Sequence, residues 1–301
     1  MEELLRRLRA IATEDQILPH EPMRAHTTMR VGGPADALFL PESAQQLAQA
    51  LAWARELGVC ALLIGNGSNL IVRDGGVRAL VISLGERFSR IRVEGEVISA
   101  QAGASLSRVA SAAQEAGLSG LEFAAGIPGT LGGGVAMNAG AYGGQLSDVL
   151  VDAQVLSEGE EVSLAREELC LGYRTSLPLT RKLPVVGARF RLTRDAPEAI
   201  AERMKRLAAQ RREKQPLSLP SAGSVFKRPE GHFAGALIEA AGLKGLTVGG
   251  AQVSPKHAGF IVNLGSATAR DVLELIDSVQ RRVWEHAHVR LETEVRIVGE
   301  D

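Results

Sequence analysis

Glycine is the feature that most limits how this chain can fold. Its 301 residues include 33 glycines, many of them in two short stretches, "GNGSN" at 65–69 and "GIPGTLGGGVAMNAGAYGG" at 126–144. Glycine interrupts helices and strands, and it allows other groups to approach the backbone closely. We therefore expect both stretches to be loops, and we expect the chemistry of the protein to lie there.

Hydrophobic spacing predicts helices and strands around these loops. Segment 41–58 has helical spacing, "VCALLIG" at 59–65 has the composition of a buried strand, and "VRALVISL" at 77–84 predicts a second strand. A hairpin about Glu94 and Gly95 follows. The next helix, "SLSRVASAAQEAG", turns inward Leu106, Val109, Ala110 and Ala113. Further strands are predicted at 149–156, 162–164 and 183–192, so this part of the chain is an α+β unit.

A long charged helix at 196–215 predicts a domain boundary. After it we expect a helix of small residues in "GALIEAAGL", a strand in "AGFIVNL" and a helix from about 268 to 286. The inward side chains of that last helix are predicted to be Leu273, Ile276, Val279 and Val283. The chain ends in a predicted strand, "VRLETEVRIV" at 289–298, whose alternation turns Glu294 away from the core.

The composition is that of a soluble globular protein. With 34 basic and 35 acidic residues, nothing favours nucleic acid or a membrane surface as a partner. The apolar runs are far shorter than the ~20 residues of a bilayer span, and the charged N-terminal segment is unlike a signal peptide. The two cysteines lack CxxC spacing, which argues for a reducing compartment and against a metal site. We therefore expect a cytoplasmic protein.

The stretch "GNGSN" follows a predicted strand directly. Its glycines would let backbone amides approach a phosphate, and Ser68 and Asn69 could donate further hydrogen bonds, so one interpretation is a pyrophosphate cradle. The other interpretation is an ordinary tight turn. Leu70 replaces the last glycine of GxGxxG, and no GxxxxGK[ST] occurs, so a Rossmann dehydrogenase or a P-loop enzyme is disfavoured.

The second glycine stretch adds a proline turn, Asn138 and Tyr142. Two glycine loops in one domain favour a long, flat ligand lying along the backbone, as a dinucleotide would. The alternative is close packing of elements without a ligand.

A third motif, "SAGSVFKRP" at 221–229, raises the question of what Ser224 does. A nucleophile is disfavoured, because the motif lacks the GxSxG elbow and no histidine can be identified as its base. A serine can still donate a proton if the acceptor is a carbanion or an enolate. Arg174 in "GYRTS" could stabilise such a charge, and Glu294 is a second candidate. From the pattern alone, a solvated edge strand is the favoured explanation of Glu294.

Taken together, these segments resemble one family, the UDP-N-acetylenolpyruvoylglucosamine reductases, flavoenzymes that complete UDP-N-acetylmuramate for bacterial peptidoglycan. The resemblance runs from "TTMRVGGPADALFLPES" through "GNGSNL", "GIPGTLGGGVAMNAGAYGG", "GYRTS" and "SAGSVFKRP" to "LETEVRIVG". It covers nearly the whole chain, which looks like the shorter of the family's two types.

The resemblance implies an α+β fold with two domains. A lead-in at 1–23 would precede a two-lobed FAD-binding domain of the vanillyl-alcohol-oxidase (PCMH) type at 24–194, with lobes of about 24–80 and 81–194. A smaller α+β substrate-binding domain would span 195–301. Non-covalent FAD would be held by residues of both glycine stretches and one late arginine: Gly65, Asn66, Gly67, Ser68, Asn69, Ile127, Pro128, Gly129, Thr130, Met137, Asn138, Ala139, Gly140 and Arg296.

The resemblance also implies a reaction, the NADPH-dependent reduction of UDP-N-acetylglucosamine enolpyruvate. The family's catalytic positions fall on Arg174, Ser224 and Glu294, with Ser224 as the proton donor. Substrate contacts are expected from Tyr173, Lys214, Arg228 and His257. No metal is expected, and a monomer is favoured. Arg228 stands where asparagine is frequent in the family, near where the resemblance places the phosphates of the substrate.

Overall fold

The computed structural model describes residues 1–301 and divides them into two compact units. Unit 1 consists of Met1–Pro19, Ala37–Asn66 and Ala79–Arg211. Unit 2 consists of His20–Asp36, Gly67–Arg78 and Arg212–Asp301. The stretch 65–69 therefore contains a boundary between the two units.

Eight α-helices are present: α1 Glu2–Leu8, α2 Ala44–Glu56, α3 Leu106–Glu115, α4 Leu131–Ala136, α5 Leu177–Arg181, α6 Pro197–Lys214, α7 Ala234–Ala240 and α8 Ala269–Ala287. Short 3-10 turns lie at Glu14–Gln16, Met23–Ala25, Glu86–Phe88, Glu122–Gly126 and Leu146–Asp148. No helix combines the length and the apolar character that crossing a membrane requires.

The strands are β1 Ile17–Pro19, β2 Ala35–Phe39, β3 Ala61–Ile64, β4 Leu70–Val72, β5 Val77–Ser83, β6 Ile91–Glu94, β7 Val97–Gln101, β8 Leu118–Ser119, β9 Gly140–Ala141, β10 Gly144–Gln145, β11 Leu150–Ser157, β12 Glu160–Ala165, β13 Val185–Arg191, β14 Thr193–Arg194, β15 Ser221–Ser224, β16 Thr247–Val248, β17 Ala251–Val253, β18 Phe260–Asn263 and β19 Arg296–Val298.

Unit 1 contains two main sheets. One has the order β1-β2-β5-β3 and includes a parallel pair, β3 with β5. The other is the antiparallel sheet β12-β11-β13-β7-β6, which shares a buried core with α3. Helix α2 begins at Ser43, whose Oγ accepts a hydrogen bond from the Gln46 amide at 3.2 Å, and it buries Leu47 and Ala50. This cap satisfies one of the amides that have no partner within the helix.

Unit 2 is built on the antiparallel sheet β15-β18-β17-β16, and its core includes the buried face of α8. A separate parallel pair joins β4 to β19, so the chain after the first glycine loop pairs with the C-terminal strand. At the start of α8, the Asp74 carboxylate accepts hydrogen bonds from the Ala269 and Arg270 amides, and the Asp271 carboxylate accepts one from the Thr268 amide. The Thr268 hydroxyl in turn accepts a hydrogen bond from the Asp271 amide at 3.1 Å.

Most predicted elements are found at their predicted positions, and α3 buries the four residues expected. Three expectations were wrong in detail. Strand β3 is only partly buried, with Ile64 buried, Leu62 and Leu63 half-buried and Ala61 exposed, so its apolar composition did not mean full burial. The final strand is confined to Arg296–Val298. The residues before it form only isolated backbone hydrogen bonds with the 225–227 segment, not a continuous ladder. Leu273 of α8 is only half-buried, and Val272 and Leu275 are buried instead.

The two units are defined by which residues contact one another, and each combines segments that are distant in the sequence. Residues 195–211 cluster with unit 1, where Arg203 forms a salt bridge to Glu122 at 2.8 Å and bonds to Asp195 at 2.6 Å. Residues 67–78 cluster with unit 2, because β4 pairs with β19. The boundaries predicted at 24 and 195 therefore differ from the limits of these units, each of which is made of three separate segments.

Candidate active site

The first glycine loop and the Pro128 turn meet within unit 1. The Asn66 side-chain amide donates to the Pro128 carbonyl at 3.3 Å, and a Cβ on Gly65 would overlap Oγ1 of Thr130. Thr130 itself is buried and forms an isolated bridge with Ser105. Two segments that were singled out separately in the sequence, 65–66 and 127–130, therefore lie against each other.

This arrangement fits the diphosphate and ring system of FAD in one respect. The absence of a Cβ at position 65 lets the Thr130 side chain approach the backbone of the first glycine loop closely. The convergence of two such segments is what a long nucleotide ligand requires. FAD contacts by residues 65–69 and 127–130 remain a prediction.

Asn138 has a structural role in unit 1. It is buried, its Oδ1 accepts a hydrogen bond from the Ser147 amide at 3.1 Å, and its Nδ2 donates to the Gly172 carbonyl at 3.3 Å. Its side chain is therefore committed to holding the loop 137–140 beside the "GYRTS" segment. If Asn138 contacts FAD, as predicted, its backbone is the part available to do so.

The "GYRTS" segment is a tight turn closed by two backbone hydrogen bonds between Gly172 and Thr175, at 3.0 and 3.4 Å. Arg174 sits at its corner with φ +54°, an uncommon conformation for a residue with a side chain. Such strain is often retained at functional sites. The guanidinium of Arg174 lies 5.7 Å from the ring centroid of Tyr173, which is 61% exposed. The turn thus presents a cation and a phenol together.

Ser224 lies at a bulge in unit 2. In the pairing of β15 with β18, Ser221 is opposite Val262 and Ser224 is opposite Phe260, so β15 carries one extra residue. Gly223 immediately before the serine has φ +77°, which glycine adopts at little cost. Bulges of this kind redirect side chains and are common beside active sites.

Glu294 is held next to the Ser224 segment. Its amide donates to the Val225 carbonyl at 2.7 Å, and its own carbonyl accepts a hydrogen bond from Nδ2 of Asn69 at 3.1 Å. The Arg296 amide donates to the Asn69 carbonyl at 3.0 Å. The structure therefore brings Ser224, Glu294, Asn69 and Arg296 together in unit 2, whereas Arg174 belongs to unit 1.

Two of the predicted substrate residues, Arg228 and His257, also belong to unit 2. The guanidinium of Arg228 lies 4.0 Å from the ring centroid of Phe233. The ring of His257 packs edge-on against Phe260, with centroids 4.9 Å apart, and its Nδ1 accepts a hydrogen bond from the Gly259 amide. Burial lowers the pKa of His257, so the neutral imidazole is favoured.

Lys214 is exposed at the end of α6. Next to it, Oε1 of Gln215 is buried and accepts no hydrogen bond within the chain. A buried acceptor of this kind normally has a partner, which a bound ligand or water could supply.

Sequence reasoning missed Arg211. This residue is partly buried near the C-terminal end of α6, and its side chain packs against Gly126, at the start of the second glycine stretch. Burial lowers the pKa of its guanidinium, although the nearby Tyr142 phenol acts in the opposite direction. The only signal in the sequence was an arginine in the charged run "RREKQ", which solvated helices also contain.

Comparison with known proteins gives a consistent result. Residues 35–164 match a family model described as an FAD binding domain, and residues 215–298 match the model for the C-terminal domain of UDP-N-acetylenolpyruvoylglucosamine reductase. The curated reductase of that name from Alkaliphilus oremlandii is 50% identical over 295 residues, covering 98% of this chain and 97% of the relative. The one from Pediococcus pentosaceus is 50% identical over 289 residues, covering 96% of each chain.

A solved structure agrees with the sequence relatives. The crystal structure of UDP-N-acetylenolpyruvylglucosamine reductase (MurB) from Thermus caldophilus superposes with a TM-score of 0.80 at 39% identity, covering 93% of this chain and 97% of that chain. The α+β fold, with an FAD-binding domain of the PCMH type followed by the reductase C-terminal domain, is thereby confirmed. The chain belongs to the UDP-N-acetylenolpyruvoylglucosamine reductase family.

Proposed function

We propose that this protein is a flavoenzyme that reduces the enolpyruvyl group of UDP-N-acetylglucosamine enolpyruvate to the lactyl ether of UDP-N-acetylmuramate. The reaction is a cytoplasmic step in the synthesis of peptidoglycan precursors, with NADPH as reductant. Membership of the reductase family and the match to an FAD binding domain support this function. The meeting of the 65–66 and 127–130 segments supports the assignment of both to FAD.

When bound, FAD would supply the hydride chemistry of the reaction, with NADPH as the reductant and the flavin N5 as the hydride donor to the substrate. The residues that would hold FAD are those of the two glycine stretches, together with Arg296 near the Glu294 carboxylate-bearing segment. Arg296 could balance the negative charge of the reduced flavin.

The chain's own residues act on the charge and the proton. Addition of a hydride to the methylene carbon makes it a methyl group and leaves negative charge on the carbon that bears the carboxylate, delocalised as an enolate. Arg174 stabilises this enolate electrostatically. Ser224 gives its hydroxyl proton to the same carbon, and this proton completes the second new C–H bond. Glu294 organises or polarises the site beside Ser224.

The observation that carries this assignment is that the backbone of Glu294 is hydrogen-bonded to the residue after Ser224. A bulge at Gly223 sets the direction of Ser224, and the next residue, Val225, accepts the Glu294 amide at 2.7 Å. Ser224 and Glu294 are 70 positions apart in the sequence, and this backbone hydrogen bond holds their segments side by side. A serine on a bulge beside a carboxylate-bearing segment, in a motif that lacks the GxSxG elbow, favours proton donation over nucleophilic attack.

The test is an anaerobic experiment in two steps. One equivalent of NADPH should bleach the flavin of the purified protein, and subsequent addition of UDP-N-acetylglucosamine enolpyruvate should restore the oxidised spectrum rapidly. Reoxidation that occurs only after air is admitted would contradict the proposal and indicate an oxidase. Bleaching by NADH at the same rate would contradict the choice of NADPH alone.

A further inference from the structure

The segment "TTMRVGG" at 27–33 has no part in the mechanism above, although it begins the stretch that resembles the family. Within it, the hydroxyl of Thr28 donates a hydrogen bond to the main-chain carbonyl of Ser221 at 2.6 Å, across 193 positions of the chain. Ser221 is the first residue of β15, the strand that ends at Ser224. The acceptor is a main-chain carbonyl, so the Ser221 side chain takes no part in this contact. Thr28 thus holds the start of the strand that carries the proposed proton donor.

Thr28 is itself held in place by its neighbours in unit 2. The next residue, Met29, is fully buried in the core, and its carbonyl accepts a hydrogen bond from Nδ2 of Asn263 at 3.1 Å. Asn263 lies in β18, which pairs with β15, and its amide donates to the Pro220 carbonyl at 2.9 Å. The Thr28 amide donates to the Gly67 carbonyl at 3.3 Å. The Thr28 hydroxyl therefore has a defined position relative to β15 and to the first glycine stretch.

Strand β15 needs support on both sides of Ser224, because a glycine precedes the serine. Gly223 has φ +77°, and nothing lies within 4 Å of the position that its Cβ would take. Side-chain packing at this bulge therefore does not fix the backbone. After the serine, the Val225 amide donates to the Gly259 carbonyl at 2.9 Å and holds that side of the bulge. The hydrogen bond from Thr28 holds the other side.

We propose that Thr28 is a positioning residue for Ser224. Its hydroxyl fixes the start of β15, so that the serine hydroxyl is kept at the distance and angle that proton transfer to the substrate carbon requires. Thr28 acts through the backbone of β15, not on the substrate. This inference rests on the proposed function. Because proton transfer depends steeply on geometry, loss of the Thr28 hydroxyl should slow the proton-transfer step selectively.

The competing explanation is that Thr28 contributes only to the stability of unit 2. Thr27 offers a matched comparison, because it is the adjacent threonine and is buried. Its hydroxyl donates to the Val31 carbonyl at 3.2 Å, so this hydrogen bond stays within the 27–33 segment. Thr27→Val therefore removes a threonine hydrogen bond without removing the bond to β15.

The test measures both half-reactions of the FAD-loaded protein by stopped-flow absorbance. Thr28→Val keeps the branched shape, and reduction by NADPH should proceed at nearly the wild-type rate. Reoxidation by the enolpyruvyl sugar should slow by about tenfold, with KM for the sugar little changed. Thr28→Ser keeps the hydroxyl and should restore the rate, while Thr28→Ala should match Thr28→Val and shows that the result does not depend on how valine fits. Thr27→Val should leave both rates unchanged, even if its thermal midpoint falls.

A double-mutant cycle shows whether Thr28 acts through the serine. In a Ser224→Ala background, Thr28→Val should slow reoxidation no further, because the proton donor that Thr28 positions is already gone. An equal slowing in both backgrounds would overturn the inference in favour of a structural role. Reoxidation of the Thr28→Val single variant at the wild-type rate would also overturn it.

Two measurements without turnover separate this inference from the proposed function. Hydrogen exchange of the 222–224 amides should be about tenfold faster in Thr28→Val, while the amides of β17 should be unchanged. FAD affinity should also be unchanged, because the bond from Thr28 to Gly67 is made by the main chain. Unchanged exchange in β15 would overturn the inference, and a loss of FAD would overturn it in favour of a cofactor contact. Faster exchange in β15, together with a wild-type protein that the sugar does not reoxidise, would contradict the proposed function alone.

Discussion

At the scale of residues, one carbonyl oxygen organises the candidate site in unit 2. The Val225 carbonyl accepts the amides of Glu294 at 2.7 Å and Val295 at 3.4 Å, while the Val225 amide donates to Gly259. Ser224 therefore lies between the bulge at Gly223 and Val225, whose amide and carbonyl are both hydrogen-bonded. This fixation is what a proton donor needs, because proton transfer depends on a defined distance to its acceptor.

Ser224→Ala tests the proton donor. Reduction of the flavin by NADPH should proceed at nearly the wild-type rate, while reoxidation by the enolpyruvyl sugar should slow by at least ~100-fold, the usual scale for a lost general acid. Stopped-flow absorbance of the flavin measures both steps. Ser221→Ala, in the same strand, is the control and should leave both rates unchanged. Normal reoxidation in Ser224→Ala would remove the serine from the mechanism.

Asn69→Asp tests whether the first glycine loop positions Glu294. The substitution keeps the shape of the side chain but replaces the amide donor, 3.1 Å from the Glu294 carbonyl, with an acceptor. Loss of such a bond costs about 1–3 kcal/mol. We expect lower thermal stability and a slower maximal rate of reoxidation, with KM for the sugar little changed. If the variant instead loses FAD on purification, Asn69 is mainly a cofactor contact.

His257 predicts a pH dependence of stability. Burial lowers the pKa of His257 below its ordinary value of 6.5, so the folded protein binds fewer protons there than the unfolded chain. Its contribution to stability is complete above pH 6.5 and is lost as the pH falls through the lowered pKa. Nearby Lys244 favours the neutral form and Glu239 opposes it. In urea unfolding from pH 8 to pH 5, roughly the range of histidine titration, His257→Asn should show a smaller loss than wild type.

At the scale of elements, helix α8 shows how a distant residue completes a local cap. Thr268 and Asp271 form a capping box at its start, in which each side chain accepts a hydrogen bond from the other residue's amide. The Asp74 carboxylate adds two further bonds, to the amides of Ala269 and Arg270 at 2.9 Å each. Asp74 precedes α8 by almost two hundred residues, as the separation of 195 positions shows, so local sequence could not have predicted it.

Asp74→Ala should therefore destabilise the protein by about 1–2 kcal/mol, because a negative acceptor is removed from a helix N-terminus. The free energy of unfolding in urea measures the change. Asp277→Ala, an exposed position on the same helix, is the control and should stay within about 0.5 kcal/mol of wild type. Equal effects of the two substitutions would mean that the Asp74 contacts contribute little.

At the scale of the whole molecule, FAD binding should be linked to stability. A ligand that binds only the folded state stabilises it by about 2.7 kcal/mol at a free concentration of 100 times Kd. The protein depleted of FAD should therefore have a lower thermal midpoint, and added FAD should restore it. The proposed assignment of FAD to the segments that meet at Gly65 and Thr130 predicts that this effect depends on them.

Gly65→Ala tests that dependence. The added Cβ would overlap Oγ1 of Thr130, so the loop must move and FAD affinity should fall by at least ~10-fold, which corresponds to about 1.4 kcal/mol. Fluorescence titration of the depleted protein with FAD measures the affinity. Gly85→Ala is the matched control, because nothing lies within 4 Å of its Cβ position, and it should bind FAD normally. Normal binding by Gly65→Ala would contradict the placement of FAD at this loop.

The sequence by itself determined the elements whose pattern is local. Hydrophobic spacing was sufficient for α3, whose four inward residues are the buried ones, and for α2, which lies within the segment 41–58 expected to be helical. The motifs were sufficient for the family, because they are short and ordered along nearly the whole chain. Composition alone was less reliable, since the strand in "VCALLIG" is only partly buried.

Only the tertiary structure decided what individual polar side chains do. Asn138 binds Gly172 and Ser147, Asn69 binds the Glu294 carbonyl, and Arg211 packs on Gly126. None of these partners follows from local sequence, because an amide or a guanidinium can serve a ligand, a turn or solvent equally well. The choice depends on which distant backbone groups lie within about 3 Å. Packing of the sheets and helices sets those distances, and that packing involves the whole chain.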